Sequence, residues 1–91
     1  MNSELPVTVT VPDTVLWQQI GDETVLLDLA AGYYRSLNDV ASEMWRALGE
    51  CPDVASAHAQ LCDLYDVDPE RLRRDLVSFI GRLTELELLR S

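Results

Sequence analysis

Apolar and polar residues alternate or form short runs through the first third of the chain, a pattern that predicts β-strands. Residues 14–20 and 24–29 form two such segments, and the Gly21-Asp22 pair between them is typical of a tight hairpin turn. A third segment covers residues 33–37, after a connection of small residues. Connections this short join antiparallel neighbours, because a parallel pair needs a long crossover. The pattern therefore predicts a three-stranded antiparallel meander.

From residue 38 onward the apolar residues recur every three or four positions, which predicts helices. The first helix covers about residues 39–48, with Asn38 as its N-cap and Gly49 as its stop signal. The second begins near Asp53, and the third covers about residues 69–89. The order β-β-β-α-α-α belongs to the α+β class, with the sheet packed against a small helical bundle.

The domain organisation follows from the length and the proline positions. A chain of 91 residues fits one domain. Residues 1–13 are predicted to form an N-terminal arm, because Pro6 and Pro12 bracket the alternating stretch between them. Residues 14–91 are then the domain itself. Its third helix carries an apolar stripe wider than the roughly 100° that one core needs, which indicates a second apolar contact beside the core.

The charge balance excludes several classes of partner. The chain has 16 acidic residues and seven basic ones, all of them arginine, for a net charge of −9. Nucleic-acid binding draws much of its affinity from cations placed against phosphates, and anionic membrane surfaces repel acidic chains. We therefore expect neither a nucleic acid nor a membrane as partner. A neutral or cationic peptide is favoured instead.

The chain contains no recognisable targeting or membrane-spanning segment. No apolar run approaches the ~18 residues of a membrane span. Residues 1–11 lack the basic start and the apolar centre of a secretion signal. We expect the protein in the cytoplasm, where Cys51 and Cys62 stay reduced.

Residues with catalytic or metal-binding chemistry are few. His58 and Cys62 lie four apart on the second predicted helix, but a structural zinc site needs four ligands and only Cys51 offers a third. As a nucleophile pair, the two residues lack an orienting third group. The glycines are isolated, so no phosphate-binding loop is evident. We expect no enzyme activity, no metal and no cofactor.

Two groups of residues carry a family resemblance that covers about residues 14–89. The first group is VLLD at 25–28, GYYRSLN at 32–38, Ala41 and Trp45, and the second is YDVDPE at 65–70, Asp75, Phe79 and Leu83. None of these motifs is specific alone, but together, in this order and spacing, they resemble the PqqD family. The resemblance implies a winged-helix-like fold of three strands and three helices.

The resemblance also implies a function. PqqD-like domains are RiPP recognition elements, non-catalytic modules that bind the leader segment of ribosomally made precursor peptides. The leader is expected to pair with the third strand and to lie against the third helix. The free-standing length and the pattern from Tyr33 to Trp45 are most similar to the leader-binding subunit of lasso-peptide systems. Such a subunit delivers the precursor to a separate cysteine-protease-type leader peptidase, with an ATP-dependent lasso cyclase as a possible further partner.

The physical requirements of peptide capture point to the same region. Strand addition needs an unpaired sheet edge for main-chain hydrogen bonds and pockets for alternate side chains. The outer strand at 33–37 has no proline, so every residue can pair, and its tyrosines add rigid contact area. The other outer strand is the weaker candidate, because the N-terminal arm could cover it. The candidate peptide-binding residues of the third strand are Tyr33, Tyr34, Arg35, Ser36 and Leu37.

The third helix is predicted to supply the other wall of the groove. One side of its helical wheel carries Arg73, Leu76, Val77 and Ile80, and Arg73 is placed to meet a carboxylate of the leader. Asp75 is a further candidate, expected on the opposite flank of the helix.

Three alternatives stay open from the sequence alone. The domain could be a PqqD-type peptide chaperone for a radical SAM enzyme, a winged-helix DNA-binding or regulatory domain, or a generic interaction subunit such as a homodimer. DNA binding is disfavoured because Arg71, Arg73 and Arg74 are offset by nearby acids. Dimerisation through the edge of the third strand would compete with peptide capture.

Overall fold

A computed structural model describes residues 6–90, which form three strands followed by three helices. The elements are β1 (Val15–Ile20), β2 (Glu23–Asp28), β3 (Tyr33–Leu37), α1 (Asp39–Glu50), α2 (Val54–Leu64) and α3 (Pro69–Glu85). The sheet order is β1-β2-β3, and both strand pairs are antiparallel. The predicted α+β class and element order are confirmed, and the winged-helix-like description fits loosely.

Both hairpin turns depend on a glycine with positive φ. Gly21 opens the two-residue turn between β1 and β2 with φ of 63°, a conformation that a Cβ atom disfavours. Gly32 closes the second turn with φ of 76°, and its N–H donates to the carbonyl of Asp28 at 2.7 Å. The Asp28 carboxylate accepts from the N–H groups of Ala30 and Ala31 at 3.1 and 3.2 Å. This side-chain contact ends β2 at residue 28, one residue before the predicted end.

The helices begin at the capping residues that the sequence indicates. The side chains of Asn38 and Asp53 each accept a hydrogen bond from the N–H three residues on, at 2.9 and 2.7 Å. α1 passes through Gly49, where the sequence predicted its end, and stops at Glu50. A proline disfavours helical geometry at the residue before it. Cys51 precedes Pro52 and is extended, with φ −101° and ψ 149°. Proline, and not glycine, therefore terminates α1.

α3 ends at Glu85, four residues before its predicted end at Leu89. Glu87 adopts a left-handed conformation with φ of 59°, and the two hydrogen bonds of a Schellman motif close the helix. They run from the Leu88 N–H to the Leu83 carbonyl at 2.8 Å and from the Glu87 N–H to the Thr84 carbonyl at 3.0 Å. The turn places Leu88 and Leu89 in the core, which a continued helix would not do.

The core consists of two clusters. The first lies among the three helices and contains Met44, Ala47, Val54, Ala57, Leu61, Leu72, Leu76 and Ile80. The second joins the sheet to α1 and the end of α3 and contains Val15, Leu26, Trp45, Leu83, Leu88 and Leu89. The rings of Trp17 and Trp45 meet edge to face with centroids 6.0 Å apart. The side of the sheet that carries Val15 and Leu26 thus faces the helices.

Part of the predicted N-terminal arm contacts the rest of the molecule. Thr10 and Arg90 form a two-way bridge with N–H to carbonyl distances of 2.7 and 2.9 Å. The carbonyl of Val7 accepts from the Val54 N–H at 3.0 Å. Residues 1–5 of the arm and residue 91 lie outside the described residues, and the boundary at residue 13 stays a prediction. Across residues 6–90, no helix has the length and apolar character needed to cross a membrane.

Candidate functional site

One edge of β3 is open. β3 pairs with β2 on one side, and within residues 6–90 no strand or bridge pairs with it on the other. The Ser42 hydroxyl donates to the Leu37 carbonyl at 3.1 Å and ties the end of the strand to α1. An edge strand with free N–H and C=O groups is a template for a further strand.

The direction of each main-chain group follows from the register of the sheet. In an antiparallel pair, successive residues point their N–H and C=O groups alternately to the two sides of the strand. The two-residue turn makes Ile20 and Glu23 a hydrogen-bonded pair, so Glu23 points toward β1. The Leu29 N–H donates to the Thr14 carbonyl at 2.8 Å, which gives the odd-numbered residues of β2 the same direction. The even-numbered residues of β2 therefore point toward β3.

This alternation determines which main-chain groups of β3 are free to pair with another strand. The even-numbered residues of β2 lie opposite Tyr33, Arg35 and Leu37, so these three residues direct their main chain to β2. Tyr34 and Ser36 direct theirs to the open edge. No described residue makes a hydrogen bond to the main chain of Tyr34 or Ser36. Two donors and two acceptors are therefore presented along this edge.

A groove runs beside this edge, between β3 and the C-terminal half of α3. Its volume is about 350 Å³. Within β3 it is lined by Arg35, Ser36 and Leu37, and on the helix side by Phe79, Arg82, Leu83 and Leu86. The lining therefore combines an apolar floor with two arginines. The open edge and the groove together have the parts that strand addition requires.

The side chains of β3 divide between the two faces of the sheet. Tyr33, Arg35 and Leu37 share the face of the buried Leu26, which packs toward the helices. Tyr34 lies on the outer face, opposite Leu27, and is 75% exposed. The predicted strand residues are thus brought together at one edge, with alternating orientations.

The predicted helix residues are not all brought to the groove. Leu76 and Ile80 are 0% and 4% exposed and belong to the cluster among the three helices, and neither is among the residues that line the groove. At 100° per residue, Arg73 and Val77 lie roughly 120–160° around α3 from the groove residue Phe79. The predicted groove wall is therefore the side of α3 that packs against the other helices.

Asp75 lies on the flank of α3 opposite Arg73 and Val77, as expected, and this flank is the one nearer the groove. It precedes Phe79 by four residues, which places it roughly 40° away on the wheel and one turn toward the N-terminus. Its side chain is exposed. Phe79, Leu83 and Leu86 belong to the apolar stripe of the helix and line the groove. Periodicity shows that a stripe is apolar, but not which part of it meets a neighbouring helix.

The other sheet edge, along β1, is also unpaired in the described residues. By the same alternation, Trp17 and Gln19 direct their main-chain N–H and C=O groups away from β2. The sequence left open that the arm covers this edge. Its described residues bond to Arg90 and Val54, and the Pro12 carbonyl accepts from the N–H of Val15 at the start of β1 at 3.0 Å. The cavities beside β1 are lined by Trp17 and by residues of α1 such as Trp45 and Gly49, whereas the groove beside β3 lies against α3.

The ring nitrogen of His58 that faces Cys62 also contacts a main-chain carbonyl. Nε2 of His58 lies 3.0 Å from the Pro69 carbonyl and 3.7 Å from Sγ of Cys62. Because a carbonyl only accepts, the short contact requires Nε2 to carry the proton, and it then cannot take one from the thiol. Within residues 6–90, no cluster of three or more His, Cys, Asp or Glu side chains could hold a metal ion.

A model of a known protein family matches most of the chain. The model of the PqqD family, described as coenzyme PQQ synthesis protein D, matches residues 23–89. The chain belongs to the PqqD family. The match includes β2, β3 and all three helices, and so contains both walls of the groove. The family resemblance in the sequence is confirmed.

Two solved structures resemble this PqqD-family chain over nearly its whole length. One is TbiB1 in complex with the TbiA(beta) leader peptide, with 35% sequence identity and a TM-score of 0.85. That match covers 90% of this chain and 95% of the other. The second is lasso peptide synthetase B1 complexed with the leader peptide, with 26% identity, a TM-score of 0.78, and coverage of 91% and 98%. A comparison with curated proteins gives no match.

Proposed function

We propose that this protein binds the leader segment of a ribosomally made precursor peptide, of the lasso class, and has no catalytic activity of its own. The observation that carries the proposal is the open edge of β3, where Tyr34 and Ser36 direct their main chain toward a groove against α3. Both structural neighbours were solved with a leader peptide bound, which supports the same role for this chain.

The two parts of the site contribute differently to binding. Main-chain hydrogen bonds along β3 give affinity with little dependence on the guest sequence, and the groove selects alternate side chains of the guest. A leader that is disordered when free must be ordered on binding, which offsets part of this gain. The expected dissociation constant is roughly micromolar to high-nanomolar, about −8 to −9.5 kcal/mol.

The bound leader would be presented to processing enzymes. We propose a separate cysteine-protease-type leader peptidase as the recipient, with an ATP-dependent lasso cyclase as a further partner. A PqqD-type role beside a radical SAM enzyme would use the same edge and groove, but the two neighbours favour the lasso assignment. A cytoplasmic location stays a prediction from the sequence.

A DNA-binding role has less support. The exposed arginines of α3 are Arg71, Arg74 and Arg82, and the first two lie beside Glu70 and Asp75 in the same helix. With a net charge of −9, the chain lacks the basic surface that neutralises phosphates.

Titration of the purified protein with the leader peptide encoded beside its gene tests the proposal. Calorimetry should give saturable binding to the leader and none to a scrambled peptide of the same composition. Amide hydrogen exchange should slow at Tyr34 and Ser36 when the leader is added, because their N–H groups become bonded. Absence of binding at about 100 µM leader, with the protein folded, would refute the proposal.

A further inference from the structure

The groove beside β3 has a charge opposite to that of the whole molecule. Acidic residues outnumber basic ones 16 to 7 in the chain, yet the groove is lined by Arg35 and Arg82 and by no carboxylate. By contrast, a second cavity is lined by Asp22, Asp39 and Glu43. A positive groove on a negative protein concentrates anionic groups at that one place.

Within residues 6–90, neither arginine of the groove forms an ion pair. Among the described residues, the ion pair that forms is Arg46 with Glu43, at 3.2 Å. Nε of Arg35 is buried and has no hydrogen-bond partner within residues 6–90. A buried donor without a partner is destabilising, and a carboxylate that accepts from it would remove this penalty. The guanidinium fork also matches a carboxylate better than it matches a single acceptor.

The register of the sheet places a guest side chain next to these arginines. The side chain of Arg35 lies on the helix-facing side of β3. A guest strand continues the pleat, so its residue opposite Arg35 projects to the same side, between β3 and α3. Arg82 lines that space from α3. A guest carboxylate at this position is therefore within reach of both cations.

From this arrangement we infer that Arg35 and Arg82 form a carboxylate subsite, which selects leaders with an Asp or Glu at the guest position facing Arg35. The inference rests on the proposed function, because it names the chemistry of a guest bound at that edge. It differs from the sequence-based expectation for Arg73, which lies on the other side of α3 and is not part of the groove lining.

The test uses the leader peptide encoded beside the gene and a set of peptides in which each Asp or Glu is changed singly to Asn or Gln. Against the natural protein, one of these changes should raise the dissociation constant about tenfold, and the others less than about twofold. Arg82→Gln should weaken binding of the unmodified leader and make it insensitive to the same single change. Arg35→Met, which retains an apolar stem, should do the same, and thermal unfolding shows whether it folds.

Arg74→Gln is the matched control, because it removes the same charge from the exposed far side of α3. It should leave the affinity for every peptide unchanged. If no single carboxylate change weakens binding, or if Arg74→Gln has the same effect as Arg82→Gln, the subsite is refuted while leader binding stands. If the unmodified leader does not bind at all, both the subsite and the proposed function are refuted.

Discussion

A proline at position 36 is expected to weaken guest binding without disturbing the fold. The Ser36 N–H points to the open edge of β3 and makes no hydrogen bond within the described residues. Proline has no N–H, and within sheets it is tolerated on edge strands where that N–H would face solvent. Ser36→Pro should therefore keep the β2–β3 ladder and remove one donor from the guest site.

The magnitude follows from the loss of one main-chain hydrogen bond. Such a bond contributes about 0.5–1.5 kcal/mol net, and the proline ring also occupies the space beside the edge. We expect the affinity for the leader to fall about tenfold or more. Arg35→Pro should behave differently, because the Arg35 N–H faces Leu26, which is 0% exposed. An orphaned buried acceptor destabilises the fold by about 1–3 kcal/mol.

Calorimetric titration with the leader measures the affinity, and chemical denaturation measures the free energy of unfolding. Ser36→Ala keeps the N–H and should bind like the natural protein, which isolates the main-chain contribution. Gln19→Pro is the matched control on the other edge, because the Gln19 main chain also points outward and its side chain is exposed. It should leave leader affinity unchanged.

Two results would contradict this reasoning. If Ser36→Pro folds and binds the leader with unchanged affinity, the guest does not pair with β3. If Gln19→Pro weakens binding and Ser36→Pro does not, the guest strand lies on β1, and the groove against α3 is not its site.

Three further predictions concern the groove and the helix ends. Leu76→Ala should destabilise the protein by about 2–5 kcal/mol, because Leu76 is in the core, and should leave leader affinity unchanged below the unfolding midpoint. Phe79→Ala should weaken leader binding, because Phe79 lines the groove. Asp53→Ala should destabilise the protein in denaturant unfolding. Hydrogen bonds from Ser56 lower the pKa of Asp53 below 3.8, so its contribution is present above that pH and is lost as the pH falls through the lowered value. Glu87→Gly should raise the free energy of unfolding by up to about 1 kcal/mol, because Glu87 has a φ of 59°, which glycine adopts without strain. An unchanged denaturation midpoint would contradict this.

Local signals in the chain were sufficient to predict the strands and helices and to predict which strands are neighbours. The period of two in residues 14–37, the period near 3.6 beyond residue 38, and the cap at Asn38 each depend on a few neighbouring residues. They can therefore be recognised without tertiary contacts. Short connections then leave one antiparallel order and an outer strand at 33–37.

Tertiary packing decided the details on which the site depends. The predicted end of β2 at Leu29 would pair Leu29 with Tyr33, whereas Asp28 is the residue that pairs with Tyr33 in the sheet. Because side chains and main-chain groups alternate with period two, this shift of one residue would reverse the direction of every group in β3. The broad apolar stripe of α3 could not show that Phe79 lines the groove as well as packing against the core, while Ile80 belongs to the core alone. The early end of α3 at Glu85 follows from burial of Leu88 and Leu89, a gain that exists only when the sheet and α1 are already in place.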